Sequence, residues 1–332
     1  LYDFFNNLGQ NTVDGLTRGA IYALIALGYT LVYGVLKLIN FAHSEVFMTG
    51  TYAALVTYTL LGVPFGSLVG PELPTALLYL LVALVVSAVV SGGLALGIER
   101  VAYRPLRRKN APPLIFLITA IGFSLLLIEI MGFLIPRFLG SQGILPNVFG
   151  RERPNTLGFP TLITRSDAFE FLGATVTNRQ IVVIVAAVIM MIGLDLFINR
   201  TRYGRGVRAV AQNPETAALM GINQDRVIML IFVIGGALAG VAAVLWGVYI
   251  GNTHPNVGFI LGLKAFTAAV LGGIGNIRGA LLGGFLLGLV EIYATQLTSY
   301  PWQDIFGFMV LIVVLMFRPT GILGESLGKA RA

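Results

Sequence analysis

Apolar stretches of about 20 residues recur along this chain, each long enough to cross a hydrocarbon core of about 30 Å as helix. In lipid, every backbone polar group must be satisfied within its own segment or in a closed barrel. The period-2 alternation of barrel strands is missing, so the spans are read as helices. Only 11% of the residues are charged, against roughly 25% in an ordinary soluble domain. The expected fold class is all-α: a polytopic membrane protein of about eight to nine transmembrane helices. Some of these helices are expected to be interrupted, and together they form one transmembrane domain over residues 1–332.

Leu1, Phe4, Phe5 and Leu8 fall at helical spacing beside Asp3, Asn6, Asn7 and Gln10, the pattern of a short helix lying in the interface. Spans are expected near Thr12–Val35, Val46–Val63, Thr75–Ile98, Pro113–Ile135, Gln180–Ile198 and Val227–Ile250. Two more follow, in the segment ending near Leu297 and from Ile305 to Phe317, while Leu263–Leu271 is apolar but too short to cross alone. No cleavable-signal pattern precedes the first span, which is expected to act as its own insertion signal.

The formal net charge of +7 does not imply nucleic acid, because Arg and Lys gather in loops as cytoplasmic faces require. Arg104-Pro105-Leu106-Arg107-Arg108-Lys109 forms one such loop, and residues 199–226, with Arg200, Arg202, Arg205 and Arg208, form another. The long connection 136–179 is expected outside. Loops of that length translocate largely regardless of charge, and the length itself implies folded structure or a docking role. Small-xxx-small pairs at Gly236–Gly240, Gly279–Gly283 and Gly284–Gly288 let helices approach closely.

The second basic loop contains the residues of a self-contained short helix. Asn213 is a good N-cap, Pro214 fits the first helical position, and Glu215 suits the positive end of the helix dipole. Thr216, Ala217, Ala218, Leu219 and Met220 continue it, and Gly221 can close it in a left-handed conformation. A surface helix of about two turns between membrane spans is a handle for another protein.

Two places break the apolar pattern at membrane depth. One is Asn40-Phe41-Ala42-His43-Ser44-Glu45, and the other is Leu271-Gly272-Gly273-Ile274-Gly275-Asn276-Ile277-Arg278-Gly279. They occupy comparable positions in the two halves of the chain. Paired interruptions of this kind point to a transporter's substrate path, and ordinary tight turns at the membrane surface are the alternative. Candidate path residues are therefore Asn40, His43, Ser44, Glu45, Gly272, Gly273, Gly275 and Asn276. Glu129, Asp195 and Glu291 lie in or near apolar spans, where an acid is a functional candidate unless a basic neighbour or the interface explains it.

Other chemistries lack their residues. There is no cysteine, so no disulfide or thiolate metal site. His43 and His254, the two histidines, belong to no ligand cluster, and no metal is expected. Gly328-Lys329 is followed by Ala330 and has Leu323 where a P-loop needs its first Gly, so ATP is not held through that motif. No triad, HExxH or Gly-x-Ser-x-Gly motif stands out, and no bound cofactor is expected.

Three stretches together resemble the permease subunit of branched-chain (LIV-type) amino acid ABC importers. They are Gly15–Gly50, with Ala23-Leu24-Ile25-Ala26-Leu27-Gly28-Tyr29 and Ile39–Glu45; Tyr203–Ile222; and Ala269–Glu291. The resemblance implies a pathway-forming chain without catalysis of its own, set in lipid in the bacterial cytoplasmic (inner) membrane. It implies a second, related but different permease chain, two cytoplasmic ATPases and an external substrate-binding protein. Asn213–Gly221 is then the coupling helix, with Ala217, Ala218, Leu219 and Met220 giving apolar contacts and Arg205 and Arg208 adding charge. The implied cargo is a small neutral or hydrophobic amino acid, with urea or a short amide as the alternative. Two other classes remain open: an ion-coupled secondary transporter using Glu129, Asp195 or Glu291, and a scaffolding or channel subunit.

Overall fold

The structure is a computed structural model that describes residues 7–63, 66–67, 70–139, 156–171, 173–298, 302–318 and 320–324. Its helices are α1 (Leu8–Leu36), α2 (His43–Leu60), α3 (Leu73–Ile98), α4 (Arg104–Arg108), α5 (Pro113–Leu139) and α6 (Asn178–Arg200). They continue as α7 (Arg202–Gln212), α8 (Pro214–Leu219), α9 (Gln224–Ile250), α10 (Val257–Gly272), α11 (Ile277–Leu297) and α12 (Gln303–Phe317). A π-turn over Glu99–Tyr103 joins α3 to α4 in one rod, Leu73–Arg108. Short strands complete the set: β1 (Leu157–Gly158) pairs antiparallel with β4 (Asn252–Thr253), and β2 (Asp167–Phe171) with β3 (Ala174–Thr177).

Among the described residues, six helices are long and apolar enough to span: α1, the α3–α4 rod, α5, α6, α9 and α11. Shorter apolar α10 and α12, with the 18-residue α2, complete the polytopic helical architecture expected from sequence. Two boundaries differ from expectation. His43, Ser44 and Glu45 form the first turn of α2 rather than a polar gap, and α5 runs past residue 135 to Leu139. The interfacial helix expected at the start falls largely on residues 1–6, outside the described residues.

The chain divides into two compact units. The first comprises Leu1–Ile39, Ser166–Gly235 and Leu263–Ala332. Its centre is α1, whose most apolar window is 83% buried, against 28% for α6. The most extensive helix pair is α1 with α11, and glycine makes it possible. Gly15 abuts Gly288 and Leu289, Gly19 abuts Gly284 and Phe285, and any Cβ there would meet backbone. Lipid removes the hydrophobic drive between helices, so close backbone packing must supply the attraction. The two glycine pairs of α11 serve different neighbours: Gly284 and Gly288 face α1, while Gly279 and Gly283 face Gly272 and Ala268 of α10. The β2–β3 hairpin docks on the start of α1 through Thr175 N–H, which donates to Gln10 at 3.1 Å. Directly after it, Thr177 and Gln180 form a capping box that opens α6.

The second unit comprises Asn40–Arg165 and Gly236–Gly262. Gly240 meets Ser87 and Gly236 meets Ser91, Gly92 and Ala95, so the small-residue pair in α9 packs on α3. Ser87 donates to the Gly50 carbonyl at 3.1 Å and Ser91 to the Val46 carbonyl at 3.0 Å. These bonds satisfy the hydroxyls where no water reaches and clamp α3 to α2. The opposite face of α3 presents Leu77, Leu78, Leu81, Val85 and Val89 outward, as a lipid-facing helix does.

Candidate coupling helix and buried polar sites

In the first unit, Thr201 ends α6 in an extended conformation, and its hydroxyl accepts from Gly204 N–H at 3.0 Å to start α7. Val207 and Val210 bury one face of α7 and leave Arg205 and Arg208 exposed; Arg208 donates to Asn199 at 3.0 Å. Asn213 then breaks the chain, and its side-chain oxygen accepts from Thr216 N–H at 2.9 Å. Pro214 starts α8, with Glu215 in its first turn. Gly221, at φ +82°, closes it, and Gln224 donates to the Pro214 carbonyl at 2.6 Å. Each cap expected from sequence is in place.

Leu219 is 88% exposed and Met220 79%, with Ala218 exposed beside them. Ala217 differs from expectation. It is buried, so its methyl seats the helix on its own chain instead of facing outward. Sequence reasoning passed over Tyr203, which is 70% exposed on the same loop.

The first break lies in the second unit. The Asn40 side-chain oxygen accepts from Tyr103 OH at 3.0 Å, and Asn40, His43, Ser44 and Glu45 are all buried. Glu45 Oε1 receives Ser124 Oγ at 3.1 Å and lies 3.1 Å from Ser44 Oγ. That Ser44 hydroxyl also lies 2.6 Å from the Phe41 carbonyl, so its single proton is shared between two acceptors. Glu45 Oε2 has no hydrogen-bond partner and sits beside the backbone of Gly258.

The second break, in the first unit, is a tight turn between α10 and α11. Gly273 and Gly275 take φ of +110° and +95°, open to glycine and strained for other residues. The Asn276 side-chain oxygen caps α11 by accepting from Arg278 and Gly279 N–H. Its Nδ2 donates to the Leu323 carbonyl at 2.9 Å. The Ile322 and Leu323 amides in turn bond the Leu271 and Gly272 carbonyls at 2.9 Å, strapping the end of α10. Gly272 and Gly273 are buried, while Gly275 is exposed at the tip.

Of the three acids singled out, Glu291 is the built site. It is fully buried, and its Oε2 receives Tyr22 OH at 2.8 Å, Gln303 Nε2 at 2.9 Å and Lys264 Nζ at 3.2 Å. Lys264 Nζ also lies 3.1 Å from Glu291 Oε1 and 2.7 Å from Asp304. One carboxylate thus joins α1, α10, α11 and α12. Asp195 is bonded by Asn199 at 2.9 Å, and Arg278 lies 3.9 Å from it. Glu129 is exposed on α5. Lys264, Ser124 and Gln303 were missed in the sequence; the one available signal was a lysine inside an otherwise apolar run. In the loop after α9, burial holds His254 below the ordinary histidine pKa.

These features define a multi-pass helical membrane protein that carries an exposed, self-capped helix between spans. Residues 11–315 match the family model described as branched-chain amino acid transport system / permease component, and the chain belongs to that family. It is 44% identical over 319 residues to the high-affinity branched-chain amino acid transport system permease protein BraD of Pseudomonas aeruginosa, covering 95% of each chain. It is 41% identical over 317 residues to the corresponding LivH of Escherichia coli K12, again covering 95% of each. A probable branched-chain amino acid transport permease, LivH of Methanocaldococcus jannaschii, is 28% identical over 334 residues, covering 98% of this chain and 96% of the relative. No solved structure matches.

Proposed function

We propose that this chain is a non-catalytic permease subunit of an ATP-driven importer, carrying branched-chain or other small neutral amino acids. It lies in the bacterial cytoplasmic (inner) membrane. A second, related permease shares the pore, two cytoplasmic ATPases drive it, and an external binding protein delivers the cargo. The supporting observation is α8 with its caps. A six-residue helix that holds its own ends and leaves Leu219 and Met220 in solvent suits a groove on a partner. In this reading, residues 199–226 form the cytoplasmic coupling loop and Asn213–Gly221 is the docking element. Arg205 and Arg208 supply charge, and Ala217 anchors the helix from beneath.

Family membership supports the cargo: BraD and LivH are named for high-affinity branched-chain amino acid transport. The connection 136–179 is proposed as the external surface for the binding protein, and the two breaks at 40–45 and 271–279 as parts of the path. The ion-coupled alternative draws less support, because Glu291 is already tied to Lys264. The chain has no cysteine, so a single Cys at Ala218 gives a clean crosslinking probe. In membranes co-expressing the ATPases, a nucleotide-sensitive adduct to an ATPase is expected. No adduct from Ala218 or Leu219, with uptake persisting without ATP, overturns the proposal.

A further inference from the structure

Glu129 is the acid in a span that the transport reading has not used. About 24 Å of helix separate it from Pro113, and about 12 Å from Arg137, the next charged residue. Placing either of those residues at a membrane surface leaves the acid inside a hydrocarbon core of about 30 Å. Its side chain is exposed, and among the described residues no hydrogen bond or ion pair reaches it. The other acids singled out in spans are treated differently. Glu45, Asp195 and Glu291 each accept a hydrogen bond from within the chain. An ionisable group at this depth is costly unless it meets a partner or water.

The face around it narrows the choice. Ile118, Gly122, Leu125 and Glu129 fall at spacings of four, three and four, so they form one stripe along α5. All four are exposed, and the first three offer no polar side chain to line a water-filled path. Gly122 adds a second observation. In the same unit Gly236 and Gly240 abut α3, the use that repays glycine in a span. A Cβ at Gly122 would meet nothing in this chain, so the room it leaves is open to another helix.

Charge decides between a second copy and a different chain. The twofold axis of a symmetric pair in a bilayer runs across the membrane, so a stripe packed on itself would set Glu129 against Glu129. The stripe holds no base to answer the acid. A different chain can supply one.

We infer that this stripe of α5 packs against a span of the second permease, which sets a lysine, an arginine or another hydrogen-bond donor against Glu129. The inference rests on the reading that a different permease shares the pore.

The test uses membranes that carry the intact permease complex, with a photocrosslinking side chain at Leu125 and the adduct identified by mass. An adduct to a span of a different permease is expected. Glu129→Leu supplies a readout of opposite sign for the two main outcomes. An acid that faces only lipid is a burden, so its removal should leave recovery of the complex unchanged or raised. An acid that answers a partner's donor strands that donor when removed. Recovery of the second permease in detergent should then fall about tenfold, roughly the worth of one interhelical bond in a membrane. Adducts to lipid alone overturn the inference, as do adducts to another part of this chain or to a second copy of it. Labelling of Leu125→Cys by a charged, water-soluble maleimide overturns it in favour of a water-filled path. A second permease that co-purifies but never crosslinks to Leu125 sinks this inference alone. A transport-competent complex with no second permease sinks the reading beneath it.

Discussion

Glu45 and Glu291 are both fully buried acids in apolar helical surroundings, and they are satisfied by opposite means. Glu291 is met by a cation: Lys264 bridges it to Asp304, while Tyr22 and Gln303 fill the remaining positions on Oε2. Glu45 is met by two serine hydroxyls on one oxygen and by nothing on the other, and among the described residues no cation pairs with it. A buried charge without a counter-charge is costly, whereas a paired one can be held if its hydrogen bonds are complete. The first acid is therefore a clamp whose parts depend on one another. The second is a polar group whose neighbours tolerate a neutral occupant.

Removing the counter-charge should have the largest effect. Lys264→Met leaves Glu291 buried beside Tyr22 and Gln303 without its ion-pair partner, which should cost about 3–5 kcal/mol. The thermal unfolding midpoint of the purified complex measures it. A loss below about 1 kcal/mol would mean that the network is not acting as a clamp.

The second prediction sharpens the same contrast. Lys264→Met combined with Glu291→Gln removes both charges and leaves the amide to accept from Tyr22. Replacing a buried ion pair by groups of similar volume is often near neutral, so the double variant should lie within about 2 kcal/mol of the native chain. Asp304 keeps its own solvent contact, being 48% exposed, and does not reproduce the penalty. A double variant as unstable as Lys264→Met alone would assign the cost to lost packing of the lysine stem rather than to the stranded charge.

Much of this fold is legible in the sequence, because lipid leaves few options. Runs of about 20 apolar residues specify helices, and Asn213, Pro214 and Gly221 mark a short helix by local capping chemistry alone. The pairs Gly236–Gly240 and Gly284–Gly288 point to close helix contacts, although which helices they meet depends on tertiary structure. The clamp was hidden for the same reason. Glu291 stood out as an acid in a span, but Lys264 sits in a short apolar run and meets it only once α10 and α11 fold against each other. The strands β1 to β4 were equally invisible, having too few residues for a period to show. At Asn40–Glu45 the polar residues suggested a gap, yet half of it is helix. A carboxylate in the first turn favours the helix start, and Ser44 and Ser124 supply donors that let the turn be buried.

That turn sets the smallest predicted effect and the other side of the comparison. Glu45→Gln keeps an oxygen where Ser124 and Ser44 donate and puts an NH₂ at the position of Oε2, beside the Gly258 backbone. No cation is stranded by the change, so the large term that governs Lys264→Met is missing. What remains is one amide to accommodate and one hydrogen bond of altered strength, a net cost of about 1 kcal/mol. The midpoint of the purified complex should therefore move far less for Glu45→Gln than for Lys264→Met. A loss as large as that of the clamp would show that Glu45 is held as an anion by a cation beyond the described residues. The second permease proposed above would then be one place to look for the missing cation.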